Sequence, residues 1–340
     1  MKYVRKKYEF NDAEDYRERY NIAVCADENV IRAMGVLIFS ILQNNSDNFA
    51  FHIFFRGNFS DIEKQRMESL SNIYHVPIVL YFLDDEELHN LYSTSDISIT
   101  AYYRLLMPYV LYNLKIQKVL YLDVDILCID RIVDLFSINL YSYVAYVIKD
   151  FTSVPDWWKQ YCSSIGMQTT KYFNSGVMLI NVPNYVKNDI GNKAIKLAME
   201  RNYKYMDQDV LNILLEGKVL FDTSCTYNCT MSVTKDILSE KIKFIHYTGN
   251  KKPWKLYTLT WGKSYFNNDR EHAWKYTYYA TWRRYAKDSP WNEVPYDLPK
   301  NYTEYRYLSR MYKEKKEFAK SIKTYLIYLI MKIRRQLMIF

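Results

Sequence analysis

Lys118-Val-Leu-Tyr-Leu-Asp-Val-Asp-Ile-Leu127 reads as an apolar strand that runs into two carboxylates, Asp123 and Asp125, at its carboxyl end. Burying both acids unpaired is costly, and two residues apart on an extended chain they share one face. A divalent cation held between them resolves the conflict. Two other short apolar runs end the same way, Asn21 to Ala26 before Asp27-Glu28-Asn29, and Phe244-Ile-His246.

Working outward, strand and helix alternate. A helix is expected after Val30, with Met34, Leu37, Ile41 and Leu42 on one face and Asn44-Asn45-Ser46 ending it. Phe49 to Phe55 reads as strand, Ser60-Asp-Ile-Glu63 as a capping box opening a helix through Ile73, and Pro77 to Leu83 as a third strand. This order predicts an α/β fold with a mostly parallel central sheet covered on both faces, and ligands bind such sheets beyond the carboxyl ends of the strands. The chain reads as a charged N-terminal extension (1–20), an α/β region (21–255), an aromatic-rich segment (256–317) holding Trp261, Trp274, Trp282 and Trp291, and a basic terminal helix (318–340).

The 340 residues are 49% hydrophobic, enough to bury a large core. Five cysteines without paired spacing argue for free core thiols rather than a disulfide framework. Cys225 and Cys229 with His246 lack an evident fourth ligand for zinc. The N-terminus is charged and has no apolar stretch of the kind an exported or anchored chain needs. The net charge is +8, and residues 300–340 carry all of it, with eleven Lys or Arg against three Asp or Glu. There Phe318, Ile322, Tyr325, Leu326, Leu329, Ile333 and Leu337 recur at helical spacing among Lys320, Lys323, Lys332, Arg334 and Arg335. That is a cationic amphipathic helix suited to an anionic membrane face, the alternative being a helix packed on its own domain. A nucleic-acid binder would account for the basic tail and the aromatics, but not for Asp123, Asp125 and Asp207 lining a cleft that repels phosphate.

Phe244-Ile-His-Tyr-Thr-Gly-Asn-Lys-Lys-Pro-Trp254 adds a histidine, a glycine and lysines suited to a diphosphate. Two carboxylates with one imidazole favour Mn2+, with Mg2+ also admissible. In order along the chain stand Ala26-Asp-Glu-Asn29, Ile99-Thr-Ala-Tyr-Tyr-Arg-Leu105, Val119 to Asp125, Tyr172-Phe-Asn-Ser-Gly-Val-Met-Leu-Ile-Asn181, Asp207-Gln-Asp209 and His246 to Trp254. Together these segments resemble glycosyltransferase family 8, the retaining group that includes bacterial lipopolysaccharide galactosyl- and glucosyltransferases. The resemblance implies a nucleotide-diphospho-sugar transferase fold of the GT-A type, a UDP-glucose or UDP-galactose donor, and Mn2+ on Asp123, Asp125 and His246.

By position it implies Cys25, Ala26, Asp27 and Asn29 around uracil and ribose, Val124 between the metal acids, and Arg104, Asn174, Ser175, Asp207 and Gln208 against the donor hexose. Gly249 and Lys252 match the diphosphate positions. Gln208 and Asp207 are the candidate catalytic residues, with Asp150 holding the acceptor. A lipid-linked oligosaccharide acceptor at the inner face of a bacterial inner membrane follows from the same resemblance, with a cytoplasmic enzyme peripheral on that membrane and no nucleic acid involved. Simpler local roles exist: Asp27 or Asn29 capping the helix at Val30, Arg104 pairing with a surface acid, Asn174 in a turn, and Asp207 capping the helix Gln208 to Glu216.

Overall fold

The computed structural model describes residues 3–11, 16–93, 99–150, 155–233, 241–260 and 276–337. Two compact units divide between His246 and Tyr247, earlier than the residue 255 expected from the sequence. Trp261 and Trp274 lie outside the described residues.

The first unit is built on an eight-stranded sheet. The strands are β1 (Val4–Phe10), β2 (Tyr20–Asp27), β3 (Phe49–Arg56), β4 (Ile78–Leu83), β5 (Lys118–Leu122), β7 (Ala145–Lys149), β8 (Phe173–Asn181) and β9 (Val219–Asp222), in spatial order β1-β4-β3-β2-β5-β8-β7-β9. β4, β3, β2 and β5 run parallel, as do β7 and β9, while β1 and β8 run antiparallel to their neighbours. The parallel strands are buried on both faces, which is why they read as near-continuous apolar runs. β1 belongs to the stretch read as a charged extension; its lysines suit an exposed edge.

The connections are α1 (Ile31–Asn44), α2 (Asp61–Tyr74), α3 (Tyr103–Asn113), α4 (Pro155–Ser164), α5 (Val182–Lys187), α6 (Ile190–Glu200) and α7 (Met206–Leu215). The Ser60 hydroxyl accepts from the Glu63 amide at 3.4 Å, the cap expected of that tetrapeptide. A small second sheet joins β10 (Cys229–Thr230), β11 (Phe244–His246) and β6 (Ile126–Cys128). His246 therefore ends a strand of this small sheet rather than of the main one.

One irregularity matters to the site. From Val147 to Ile148 β7 advances one residue while its partners on β8 go from Met178 to Asn174, so Ser175, Gly176 and Val177 bulge out of the β7 ladder.

The second unit contains α8 (Tyr276–Asp288), α9 (Tyr302–Glu314) and α10 (Phe318–Leu337). Trp282 and Trp291 are fully buried, and Trp254 packs 5.5 Å from Trp282. α10 meets α9 through small polar groups: Ser309 and Ser321 exchange hydroxyl-to-carbonyl hydrogen bonds of 2.9 Å, and Tyr328 stacks on Tyr302. Phe318, Ile322, Tyr325, Leu326, Ile330, Ile333 and Leu337 stay exposed, and Leu329 is half-buried. No helix among the described residues is long and apolar enough to cross a membrane.

Candidate active site

β5 ends at Leu122, and the next amide, that of Asp123, donates to the Gly176 carbonyl at 2.8 Å. Three residues on, Ile126 opens β6, which pairs antiparallel with β11 so that His246 stands opposite Ile126. This register carries the imidazole to the acids. His246 Nε2 lies 3.1 Å from Asp125 Oδ1 and 3.8 Å from Asp123 Oδ2. Asp123, Asp125 and His246 form the one cluster of three such groups, among the described residues, whose ligand atoms all lie within 4.8 Å of one another. Two carboxylate oxygens and an imidazole nitrogen are a donor set that fits a divalent cation. Val124, half-buried, spaces the two acids. Gly176 makes room: a Cβ there would sit 2.4 Å from His246 Cε1 and 2.7 Å from Asp123 Oδ2.

Arg104, buried at the start of α3, ties this cluster to its neighbours. Its Nη2 pairs with Asp123 Oδ1 at 2.9 Å, and Nη1 donates to the Ser175 carbonyl and hydroxyl at 3.0 and 2.9 Å. Tyr121 donates to the same Asp123 oxygen at 2.7 Å, which leaves Oδ2 turned to the imidazole. Arg104 Nε is 2.9 Å from Asp207 Oδ2, but its N–H is aimed at the Ala101 carbonyl. Asp207 Oδ2 thus has the guanidinium's charge but no aligned donor among the described residues. Burial pushes the Asp207 carboxyl up to about 6, against the pull of Arg104. Asp207 lies inside α7, which begins at Met206 after Tyr205, so it does not cap that helix.

Gln208 is oriented from both ends. Its Oε1 accepts from the Ser175 amide at 3.0 Å and Asn174 Nδ2 at 3.2 Å, while Nε2 donates to Asp150 Oδ2 at 3.2 Å and to the Tyr172 hydroxyl at 3.3 Å. Tyr172 can accept there because its proton is committed to Asp209 Oδ1 at 2.5 Å; Tyr161 and the Tyr205 amide donate to Oδ2. Asp209, Tyr172 as a side chain, Gly176 and Asn228 were not singled out from sequence. Asp209, Tyr172 and Gly176 lie within the segments that carry the family resemblance, and Asn228 carries no local signal.

Asn174 sits inside β8 rather than in a turn, and Arg104 pairs with buried acids rather than a surface one. On β2, Asp27 Oδ1 accepts from the Asn29 amide at 2.9 Å, which closes a turn, and Val30 before α1 has no side-chain cap. Cys25 and Ala26 line the same strand end, both buried, and burial raises the Cys25 thiol above its usual range. All five cysteines are buried and none is in a disulfide. Gly249 and Lys252 belong to the second unit; Gly249 has φ +77°, and Lys252 Nζ donates to the Tyr247 carbonyl at 2.7 Å.

The model of glycosyl transferase family 8 matches residues 21–258. The chain belongs to glycosyltransferase family 8. The C-terminal model of the same family matches residues 276–332, most of the second unit's helices. Among the relatives, the lipopolysaccharide glucosyltransferase WaaO of Escherichia coli (strain K12) is 30% identical over 329 residues, 92% of this chain and 91% of that protein. The lipopolysaccharide 1,3-galactosyltransferase of Salmonella typhimurium (strain LT2) is 29% identical over 327 residues, 92% and 90% of the two chains. The crystal structure of galactosyltransferase LgtC, in complex with donor and acceptor sugar analogs, superposes with a TM-score of 0.65 at 24% identity. It covers 79% of this chain and 96% of that one. That likeness agrees with the GT-A type fold expected for a family 8 enzyme.

Proposed function

We propose that this glycosyltransferase moves glucose or galactose, with retention of anomeric configuration, from UDP-glucose or UDP-galactose to a lipopolysaccharide core oligosaccharide. The observation that carries the reading is the convergence of Asp123, Asp125 and His246 next to the buried Arg104–Asp207 pair, at the carboxyl ends of the sheet. The activities of the two relatives, one a lipopolysaccharide glucosyl- and one a lipopolysaccharide galactosyltransferase, support the donor pair and the acceptor class.

Breaking the anomeric bond leaves negative charge on the departing diphosphate. A bound Mn2+, or Mg2+ in its place, supplies Lewis-acid stabilisation of that charge without a general acid. Asp123, Asp125 and His246 hold the cation, with Arg104 anchoring the outer oxygen of Asp123. Lys252 and the Gly249 backbone are assigned to the phosphates, and Cys25, Ala26, Asp27 and Asn29 to the nucleoside. Asp207, Asn174 and Ser175 are assigned to the donor hexose, as the family resemblance implies. Gln208 presents an amide, a poor nucleophile, which favours attack of the acceptor on the face the diphosphate leaves. Asp150, whose Oδ2 accepts from Gln208 Nε2 at 3.2 Å, is assigned to the acceptor.

An acceptor on a lipid anchor brings the enzyme to the cytoplasmic face of the inner membrane, where the exposed apolar stripe and cations of α10 serve as its contact. The test is incubation with Mn2+ and a panel of UDP-sugars, with and without lipopolysaccharide core acceptor. UDP-glucose or UDP-galactose is consumed, and Asp125→Asn and His246→Ala each abolish transfer while the circular-dichroism spectrum is kept. Near-normal transfer by either variant defeats the metal assignment.

A further inference from the structure

The bulge in β8 releases the Ser175 and Gly176 amides from the β7 ladder, and both donate to side chains instead. A backbone N–H can only donate, so each fixes the identity of the atom it meets. Gly176 N–H, 3.1 Å from Asn174, makes that atom Oδ1 and leaves Asn174 Nδ2 for Gln208. Ser175 N–H independently fixes Gln208 Oε1 as the acceptor of that same bond. Asn228 lies 2.9 Å from Asn174 Oδ1, and the atom it presents there must be its Nδ2. Its Oδ1 then faces His246 Nδ1 at 2.8 Å, and Nδ1 must carry a proton. In the neutral ring Nε2 is consequently a bare lone pair, and it points at Asp125 and Asp123, acceptors themselves. Three acceptors facing one another call for a cation.

We propose that Asn228 is a positioning residue: it holds His246 as the Nδ1–H tautomer, makes Nε2 the metal-binding nitrogen, and couples that nitrogen through Asn174 to Gln208. The proposal rests on the metal reading above. Asn228 and His246 are buried, so water does not substitute for the missing partner at low cost. Asn228 precedes β10, whose pairing sets Thr230 against His246, so the small sheet fixes the amide relative to the ring. The consequence is that metal affinity and the orientation of the hexose-facing amides are not independent.

The two roles separate by substitution. Asn228→Asp keeps an acceptor for Nδ1–H but removes the donor to Asn174, whereas Asn228→Ala removes both. Mn2+ binding is titrated without donor sugar by electron paramagnetic resonance of the free ion, on the full chain. Asn228→Ala weakens binding about 10- to 100-fold, the size of effect typical of an outer partner of a ligating histidine. Asn228→Asp holds Mn2+ affinity at or above the wild-type level, its carboxylate being the stronger acceptor for Nδ1–H, but lowers kcat and raises KM for UDP-hexose hydrolysis. At pH 8 the long-range 15N–1H spectrum of the metal-free protein, with the His246 signal assigned by its loss in His246→Ala, shows the proton on Nδ1.

Wild-type Mn2+ affinity in Asn228→Ala, with binding lost in Asp125→Asn, overturns the positioning role and leaves the metal site standing. Undiminished binding in Asp125→Asn overturns the metal reading itself. A proton on Nε2 with none on Nδ1 overturns the tautomer. Should Asn228→Ala fail to fold, Asn228→Asp and the spectrum decide the matter, and equal kinetics for Asn228→Asp and wild type refute the coupling.

Discussion

Gly176 shows how closely the chemistry and the backbone are fitted at single residues. An added methyl group would meet the imidazole, the Asp123 carboxylate and the Asn174 amide, all side chains of the site, at 3.0 Å or less. Gly176→Ala therefore leaves the sheet intact and displaces the ligands, with Mn2+ affinity falling on the order of 10-fold or more; a binding titration beside a thermal melt checks both halves. Tyr172→Phe acts differently, since it strips a donor from the buried Asp209 carboxylate and an acceptor from Gln208. It costs about 1–3 kcal/mol in denaturant unfolding, the penalty of an orphaned buried acceptor, and lowers kcat more than it alters KM for the donor. Asp123, Asp125 and His246 were legible in the sequence because a polar residue closing an apolar strand is costly unless something repays it. Asn228 was not legible: an amide outside any periodic run acquires meaning only when its partners, 54 and 18 residues away in sequence, are known.

Elements divide along the same physical line. β2, β3, β4 and β5 declared themselves because strands buried on both faces must be apolar throughout, and α2 because Ser60 and Glu63 mark its start. β6 and β11, three residues each, and β10, two, are too short for a period to show, yet their pairing is what carries His246 to Asp125. The antiparallel insertion of β8 between β5 and β7 is likewise invisible to a pattern that registers burial and not direction. Helix packing adds a requirement of its own at Gly191 in α6, where a Cβ would fall 2.1 Å from the Leu105 carbonyl and 2.6 Å from Tyr109 of α3. The first of these is backbone and cannot swing aside. Gly191→Ala is expected to destabilise the first unit by about 1–3 kcal/mol through overpacking, read as a lower urea midpoint, with Mn2+ affinity unchanged below that midpoint.

For the molecule as a whole, the distribution of charge and apolar surface bears on where it works. The net charge of +8 resides in residues 300–340, and the helix that ends this segment packs on α9 through Ser321, Thr324 and Tyr328, turning its larger apolar side chains outward. A terminal helix serving only its own domain would bury Ile322, Leu326, Ile330 and Ile333 and expose the serine and threonine; here the order is reversed. The cations Lys323, Lys332, Arg334 and Arg335 on this helix add attraction of about 1 kcal/mol each near an anionic lipid surface. If α10 makes the membrane contact proposed above, replacing Ile322 and Leu326 by serine removes about 3 kcal/mol of apolar burial, on the order of a 100-fold loss in partitioning. Sedimentation with vesicles containing anionic lipid measures this. Raised salt weakens the wild-type interaction only partly, because screening reaches the cations and not the apolar stripe. On the proposed acceptor, transfer to a delipidated core oligosaccharide in solution is expected to be unaffected by the double substitution, and transfer to the same acceptor anchored in a vesicle to fall with the partitioning. Undiminished vesicle binding would mean that the outward stripe of α10 is covered by something other than lipid.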